Sequence, residues 1–226
     1  MNEETKSSIL FYFFIFWTFC FLNGFFNPYL SKNLFFFSIM EIVFWILLPI
    51  FTVTYFIFYL KVFSFSDLGF HSKLFKKESY YFVIIFSLIF SFFVQKFYFI
   101  THSILSKFFT TNYFHNFEFQ STIPNNFETG ILLTIYYSFT AGIVEEIYYR
   151  GILAQLFQID NKFNINYILI SSILFSVNHW EGGIINIIDT FLYGLLFSIF
   201  YNKIKNIWPL IIAHIITAII AFYPNA

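Results

Sequence analysis

Long apolar segments separated by short polar ones dominate the hydropathy pattern of this 226-residue chain. A membrane-spanning helix needs about 20 predominantly apolar residues to cross a hydrocarbon layer about 30 Å thick. Segments that approach this length are residues 8–30, 34–60, 80–100, 130–155, 165–181, 184–202 and 207–223. The pattern therefore predicts an all-α fold, a polytopic membrane helical bundle with about seven transmembrane helices.

The composition also indicates a protein embedded in lipid. Apolar residues make up 59% of the chain, charged residues 11%, and 40 residues are phenylalanine. A soluble core of this size could not bury so many aromatic rings, whereas a bilayer accepts apolar side chains on the outside of every helix. Twelve basic and twelve acidic residues leave no net charge to attract nucleic acid. The lipid bilayer is a predicted partner, and nucleic acid is not.

The basic residues between the apolar segments favour one orientation. Lys61, Lys73, Lys76 and Lys77 lie between the second and third segments, and short loops rich in Lys and Arg stay on the cytoplasmic side. Placing this loop inside predicts a cytoplasmic N-terminus and a long external loop at residues 101–129. No organelle-targeting sequence is visible, which fits the plasma membrane.

Ionisable residues inside the last four segments are the main functional signal. A charge in the bilayer core costs at least about 2.5–3.5 kcal/mol on insertion scales, so it must be paired, hydrated or functional. The fourth segment contains Glu145, Glu146 and Arg150, the fifth ends with His179, and the seventh contains His214. Two acids, one base and two imidazoles on three segments predict a polar site inside the bundle.

Helical spacing assigns different surroundings to the two glutamates. Glu146 and Arg150 are four residues apart, so we predict an ion pair that lowers the cost of burying both. Glu145 points about 100° away and lacks that partner, which makes it the general-base candidate. With one or two imidazoles, this carboxylate would either bind a divalent metal and its water or activate water directly. Both routes lead to hydrolysis of a carbonyl compound.

Two sequence motifs carry a resemblance to a known family. Glu145, Glu146 and Arg150 form an EExxxR motif, and Phe175 with His179 forms an FxxxH motif about thirty residues later. The chain resembles the CPBP intramembrane proteases, which include the type II CAAX prenyl endopeptidases and the bacterial Abi-type proteins. The resemblance covers roughly the last hundred residues and says nothing about the first three segments.

The third motif of the family is half matched. The family has a His four residues before an Asn, and this chain has His214 but Ala218 at the Asn position. The missing amide removes a hydrogen-bond donor expected near the oxyanion, and one such donor contributes about 2.7–4 kcal/mol to transition-state stabilisation. Thr217 and Asn178 are candidate substitutes.

The resemblance implies cleavage of a peptide bond in a membrane-associated peptide or protein substrate. Glu145 and His179 would handle the attacking water, His214 would aid the oxyanion, and Glu146 and Arg150 would support the site. The family is described as metalloproteases, and a glutamate-based mechanism without metal has also been argued for it. If a metal such as zinc is used, its predicted ligands are Glu145, His179 and His214. Residues 130–226 would form the catalytic core, and residues 1–129 an N-terminal three-helix membrane region with the external loop, within a single integrated membrane domain.

Two other functions stay open at this stage. Ala218 is compatible with a catalytically impaired membrane partner or immunity protein of the same fold. Intramembrane acids and histidines also occur in small proton-coupled transporters, although no inverted repeat is visible.

Several further residues receive predictions of their own. Glu41 and Asp189 lie inside apolar segments, where a packing role is the more probable one. His71, His102 and His115 are expected to be solvated. If every segment crosses the membrane as one straight helix, Glu145 and His179 lie at different depths in the bilayer. Because they should lie at one depth, we expect Gly182 and Gly183 to permit a break, with a shorter or re-entrant helix there.

Overall fold

The computed structural model describes residues 3–30, 32–71, 77–109, 122–123, 127–159 and 163–223. Seven apolar helical segments lie within these ranges, and none of the described residues forms a β-strand. We number them α1 (Glu3–Leu30), α2 (residues 34–59), α3 (Lys77–Phe108), α4 (Phe127–Leu156), α5 (Ile165–Val177), α6 (Gly183–Ile204) and α7 (Trp208–Phe222). The predicted all-α helical membrane bundle is confirmed.

The helices fall into two length classes. By length and apolar composition, α1, α2, α3, α4 and the helical stretch Trp180–Ile204, which includes α6, are each sufficient to cross a membrane. By contrast, α5 has 13 residues and α7 has 15. At about 1.5 Å per residue, these two helices extend only about 20 Å and 23 Å, less than a hydrocarbon layer of about 30 Å. They are the helices that carry the predicted histidines.

Two predicted boundaries were wrong. The third helix continues to Phe108, so residues 101–108 are helical instead of opening the predicted external loop, most of which lies outside the described residues. The fifth helix ends at Val177 instead of residue 181. The turn after it leads into α6 at Gly183, which has a φ of 84°, a conformation that side chains larger than hydrogen rarely adopt. The break expected at the two glycines is confirmed.

Apolar side chains cover the outside of the bundle as well as its centre. Phe35, Phe99 and Phe108 are each at least 70% exposed, which is costly in water and favourable against lipid tails. Inside, one cluster joins aromatic residues of α1 to those of the C-terminal helices. Phe16 of α1, for example, stacks on Tyr148 of α4 with ring centroids 3.7 Å apart. The predicted division at residue 129 stays a prediction.

Helices α4 and α7 approach closely at Gly142. A Cβ atom added there would lie 2.6 Å from Cγ1 of Ile215 and 3.1 Å from its backbone nitrogen. We expect Gly142→Ala to lower the free energy of unfolding by about 1–3 kcal/mol, because α7 must move away. Thermal unfolding in detergent measures the change. Gly151→Ala is the control, because its nearest contact would be 3.3 Å, and equal losses in both variants would contradict the interpretation.

Candidate active site

A π-helical segment in α4 shapes the first half of the site. The α-helical part ends at Glu145, and Glu146–Ile152 forms a π-helix, with one residue more per hydrogen-bonded turn. Such π-segments are often found at functional sites. The segment holds Glu146 and Arg150 fully buried, and both glutamates contact the same residue of α7.

That residue is His214, which lies between the two glutamates. Its Nδ1 is 2.8 Å from Oε1 of Glu146, and its Nε2 is 3.6 Å from Oε2 of Glu145. A hydrogen bond donated by Nδ1 to the Glu146 carboxylate fixes the ring orientation and directs Nε2 toward Glu145. The structure thus brings together Glu145, Glu146 and His214 from helices α4 and α7.

Arg150 completes the polar group around Glu146. Its Nη1 is 3.2 Å from Oε1 of Glu146, four residues earlier, so the predicted ion pair is present. The guanidinium lies over the rings of Phe175 and Phe197, with Cζ 4.7 Å and 5.3 Å from their centroids. These contacts place one positive charge against the Glu146 carboxylate where no water reaches either side chain.

Glu145 is buried and has no comparable ion pair. Its Oε2 makes no hydrogen bond to any residue that the structure describes, and the contact with His214 at 3.6 Å is too long to count as one. Buried carboxylate oxygens usually have a partner, and Oε2 of Glu145 remains able to accept a hydrogen bond. A water held there would be within reach of a general base.

His179 lies just past the end of α5, in the turn before α6. Its Nδ1 is 2.8 Å from the carbonyl oxygen of Phe175, and its own carbonyl accepts a hydrogen bond from the Asn186 amide. Because Nδ1–H donates to a carbonyl, Nε2 carries the free lone pair. No hydrogen bond or ion pair joins His179 to either glutamate or to His214 in the described part of the chain. Instead the Phe175 ring is 4.6 Å from the His179 ring and 6.3 Å from the His214 ring.

The predicted metal site was tested on this geometry. In the part of the chain that the structure describes, no three His, Cys, Asp or Glu side chains are grouped so that they could hold a metal ion. Glu145 and His214 are neighbours, but His179 is not joined to them, so the residues do not fit a three-ligand zinc site as they stand. The zinc stays a prediction, to be tested with a chelator.

The position of the missing Asn is surrounded by hydroxyl groups. Thr217 donates its hydroxyl hydrogen to the carbonyl of His214, and the Tyr193 hydroxyl is 3.1 Å from the Thr217 oxygen. The Tyr193 ring is 5.3 Å from the His214 ring and stacks on Phe197. Because Thr217 uses its only hydrogen within its own helix, it does not replace the Asn donor at Ala218. Sequence reasoning missed Tyr193, since no motif distinguishes it from other tyrosines.

A second group of polar atoms joins α4 to the turn after α5. Asn178 donates its amide to the hydroxyl of Tyr149 at 2.6 Å, and its own Oδ1 has no partner among the described residues. The Tyr149 hydroxyl hydrogen is therefore free to donate. Both Tyr148 and Tyr149 are buried inside the bundle and do not face lipid.

Polar residues outside the site have other partners. Asp189 of α6 accepts hydrogen bonds from Thr101 and His102 of α3, at 2.7 and 2.8 Å, which fits the packing role expected for it. His71 contacts the carbonyl oxygen of Lys205 at 2.7 Å. The solvated state expected for His71 was therefore wrong, because its ring is partly buried against the neighbouring segment. The His102 side chain stays 50% exposed while it bonds Asp189. His115 lies outside the described residues.

Comparison with protein families agrees with this geometry. Residues 127–220 match the model of the family described as type II CAAX prenyl endopeptidase, Rce1-like. This segment is similar to that family. The match spans α4 to α7 and includes the EExxxR motif, the FxxxH motif and His214 of the half-matched third motif, so the resemblance to CPBP proteases is confirmed. A search of curated proteins and a search of solved structures found no significant match.

The match to a protease family and the long apolar helices together fit an integral membrane protein. The matched segment contains each predicted catalytic residue, from Glu145 to His214. The first 126 residues lie outside it, although α1 and α2 pack against the matched helices. The individual roles of the site residues are proposals.

Proposed function

We propose that the protein is an intramembrane endopeptidase in which Glu145 activates the attacking water. The observation that supports this most directly is the free Oε2 of Glu145, buried and facing Nε2 of His214 at 3.6 Å. The carboxylate takes a proton from water, and the water oxygen attacks the carbonyl carbon of the peptide bond. The carbonyl π electrons move to oxygen, and a tetrahedral oxyanion forms.

His214 stabilises that oxyanion in the proposed mechanism. The contact of its Nδ1 with Glu146 holds the ring so that Nε2 is the nitrogen that donates a hydrogen bond to the oxyanion. Arg150 balances the charge of Glu146 and keeps it in place. The proton held by Glu145 then passes to the amide nitrogen, the C–N bond breaks, and a carboxylate and an amine leave.

His179 is the second group proposed to contact the water. Because its Nδ1 is occupied by the Phe175 carbonyl, only Nε2 is available to accept a hydrogen bond from water. The turn that carries it starts where the short helix α5 ends, which brings a polar backbone inside the membrane thickness. We further propose a plasma-membrane location with a cytoplasmic N-terminus, on the basis of the lysine distribution.

The direct test is cleavage of a membrane-peptide library by purified protein in liposomes. We expect defined cleavage by the wild type and a loss of about 10²-fold or more in His179→Ala and His214→Gln, because each loses a group at the reacting centre. A chelator that abolishes cleavage would favour a metal, and full activity in chelator would favour the glutamate mechanism. Cleavage that is unchanged in both variants would overturn the proposed site.

A catalytically impaired membrane partner of the same fold is the second candidate, and Ala218 favours it. If the folded wild type cleaves no library peptide, the Ala218→Asn variant should be assayed in the same liposomes. Cleavage gained by Ala218→Asn would show that only the missing donor blocks the reaction. No cleavage by either protein would favour the partner function.

A further inference from the structure

A second buried polar group lies beside the candidate active site and has no role in the proposed mechanism. It consists of Asn23 and Asn27 of α1, Glu41 of α2, and Glu181 of the turn between α5 and α6. We call these four side chains the acceptor cluster. Each is at most 8% exposed, so their charges and dipoles have little access to solvent.

Close contacts connect three elements at the acceptor cluster. Asn27 donates its amide to Oε2 of Glu181 at 3.2 Å. The same oxygen lies 2.8 Å from the position that a Cβ atom would occupy on Gly24, so the absent side chain lets the turn approach α1. Trp180 donates its indole N–H to the carbonyl of Phe21 at 3.0 Å. The turn that carries His179 is therefore docked on α1 through the residues that follow it.

The buried atoms of the acceptor cluster that have no hydrogen-bond partner are all oxygens, which accept hydrogen bonds. Oδ1 of Asn23, Oδ1 of Asn27 and Oε1 of Glu41 are buried and have no partner among the described residues. Neither Glu41 nor Glu181 forms an ion pair with a described residue. Phe19 of α1 stacks on Phe44 of α2 with ring centroids 5.4 Å apart, and Asn23 and Glu41 lie about one turn further along these two helices, toward Asn27. Asn27 is only 2% exposed, and its amide is already fixed against Glu181.

Such a group has no positive charge, and its unpartnered buried atoms are all acceptors. Two carboxylates carry two negative charges, and one divalent cation would neutralise them inside the low-dielectric bundle. Carboxylate and amide oxygens are ligands of hard cations, and calcium accepts six to eight oxygens in flexible geometry, including waters. The unpartnered amide oxygens supply the neutral ligands that such a site requires.

We propose that the acceptor cluster binds one divalent cation of the calcium type. The ion links α1 and α2 to the turn after α5, and it thereby holds the turn that carries His179 in position. This site is separate from the predicted zinc ligands, because none of its four side chains is Glu145, His179 or His214. It does not depend on the protein being an active protease.

Terbium luminescence provides a direct test, because Tb³⁺ replaces Ca²⁺ and is excited by nearby tryptophan. The Trp180 indole nitrogen lies 2.9 Å, and Oε2 of Glu181 2.8 Å, from the same Cβ position on Gly24. We expect saturable luminescence in detergent-solubilised wild type and its displacement by CaCl₂. Glu41→Gln and Glu181→Gln should each weaken terbium binding at least about tenfold, because each removes a charged ligand.

Three controls separate binding at the acceptor cluster from other effects. Asp189→Asn removes another buried carboxylate and Glu145→Gln removes the proposed general base, and both should bind terbium as the wild type does. Trp180→Phe should lose luminescence but keep the rise in thermal unfolding temperature that CaCl₂ gives the wild type. The glutamine variants relieve charge repulsion, so they should fold without calcium and show no such rise.

Two results would overturn the proposal. One is the absence of saturable terbium binding and of a calcium-dependent rise in unfolding temperature in the folded wild type. The other is equal binding in the wild type and both glutamine variants, which would place the cation elsewhere. In either case the acceptor cluster would hold protonated carboxyl groups and water. The outcome is independent of the peptidase assay, so failure of one proposal is distinguishable from failure of the other.

Discussion

Replacing Glu145 with glutamine is expected to reduce kcat/KM for peptide cleavage by about 10²–10⁴-fold, the usual contribution of a general base. Glutamine has nearly the same shape and retains a carbonyl oxygen that can face His214. It cannot accept a proton from water at neutral pH, so the attacking oxygen loses its activation. Initial rates in liposomes, with protein amount matched by quantitative immunoblot, measure the effect.

Asp189→Asn is the matched control for this substitution. It removes a buried carboxylate that is hydrogen-bonded to Thr101 and His102, away from the site glutamates. Cleavage by this variant should stay near the wild-type rate. If Glu145→Gln also retained wild-type activity, Glu145 would not be the base, and Glu146 would be the next residue to test.

Replacing Arg150 with methionine is expected to destabilise the fold by about 3–5 kcal/mol, the range found when one partner of a buried ion pair is removed. The carboxylate of Glu146 would remain fully buried, with only the His214 ring to offset its charge. The contacts of the guanidinium with Phe175 and Phe197 would also be lost. Thermal or denaturant-induced unfolding in detergent measures the change.

The double variant Glu146→Gln with Arg150→Met tests whether the unpaired charge of Glu146 causes the destabilisation. It removes both charges, so it should recover a large part of the stability that the single Arg150→Met variant loses. Arg150→Lys should fall between the wild type and Arg150→Met, because a lysine keeps the charge but lacks the planar group that stacks on the rings. A double variant as unstable as Arg150→Met would assign the loss to packing alone.

The helical fold was predictable because lipid imposes one length and one polarity on each segment. The seven apolar segments and the break at Gly183 follow from composition and from one glycine. The end of α3 was not predictable, because residues 101–108 mix polar and apolar side chains and the helix continues through them. The π-helical segment Glu146–Ile152 contains Gly151, but a single glycine inside a helical pattern does not indicate a π-turn.

The candidate site was predictable only within one helix. The pairing of Glu146 with Arg150 follows from their spacing, and the structure contains it. The contact between Glu146 and His214 joins residues 68 positions apart, and no local pattern encodes it. The acceptor cluster was missed for the same reason, since single Asn and Glu residues in apolar segments give no indication of which ones meet.

The short lengths of α5 and α7 also affect the surrounding lipid. Helices of about 20 Å and 23 Å cannot match an unperturbed bilayer, so the acyl chains beside them must thin to avoid hydrophobic mismatch. Both histidines of the site are on or next to these helices, so headgroups and their water come closer to the reacting atoms there than elsewhere around the bundle. The bilayer would thereby be locally thinner beside the site, so that a peptide bond reaches the site without crossing the full thickness of the lipid.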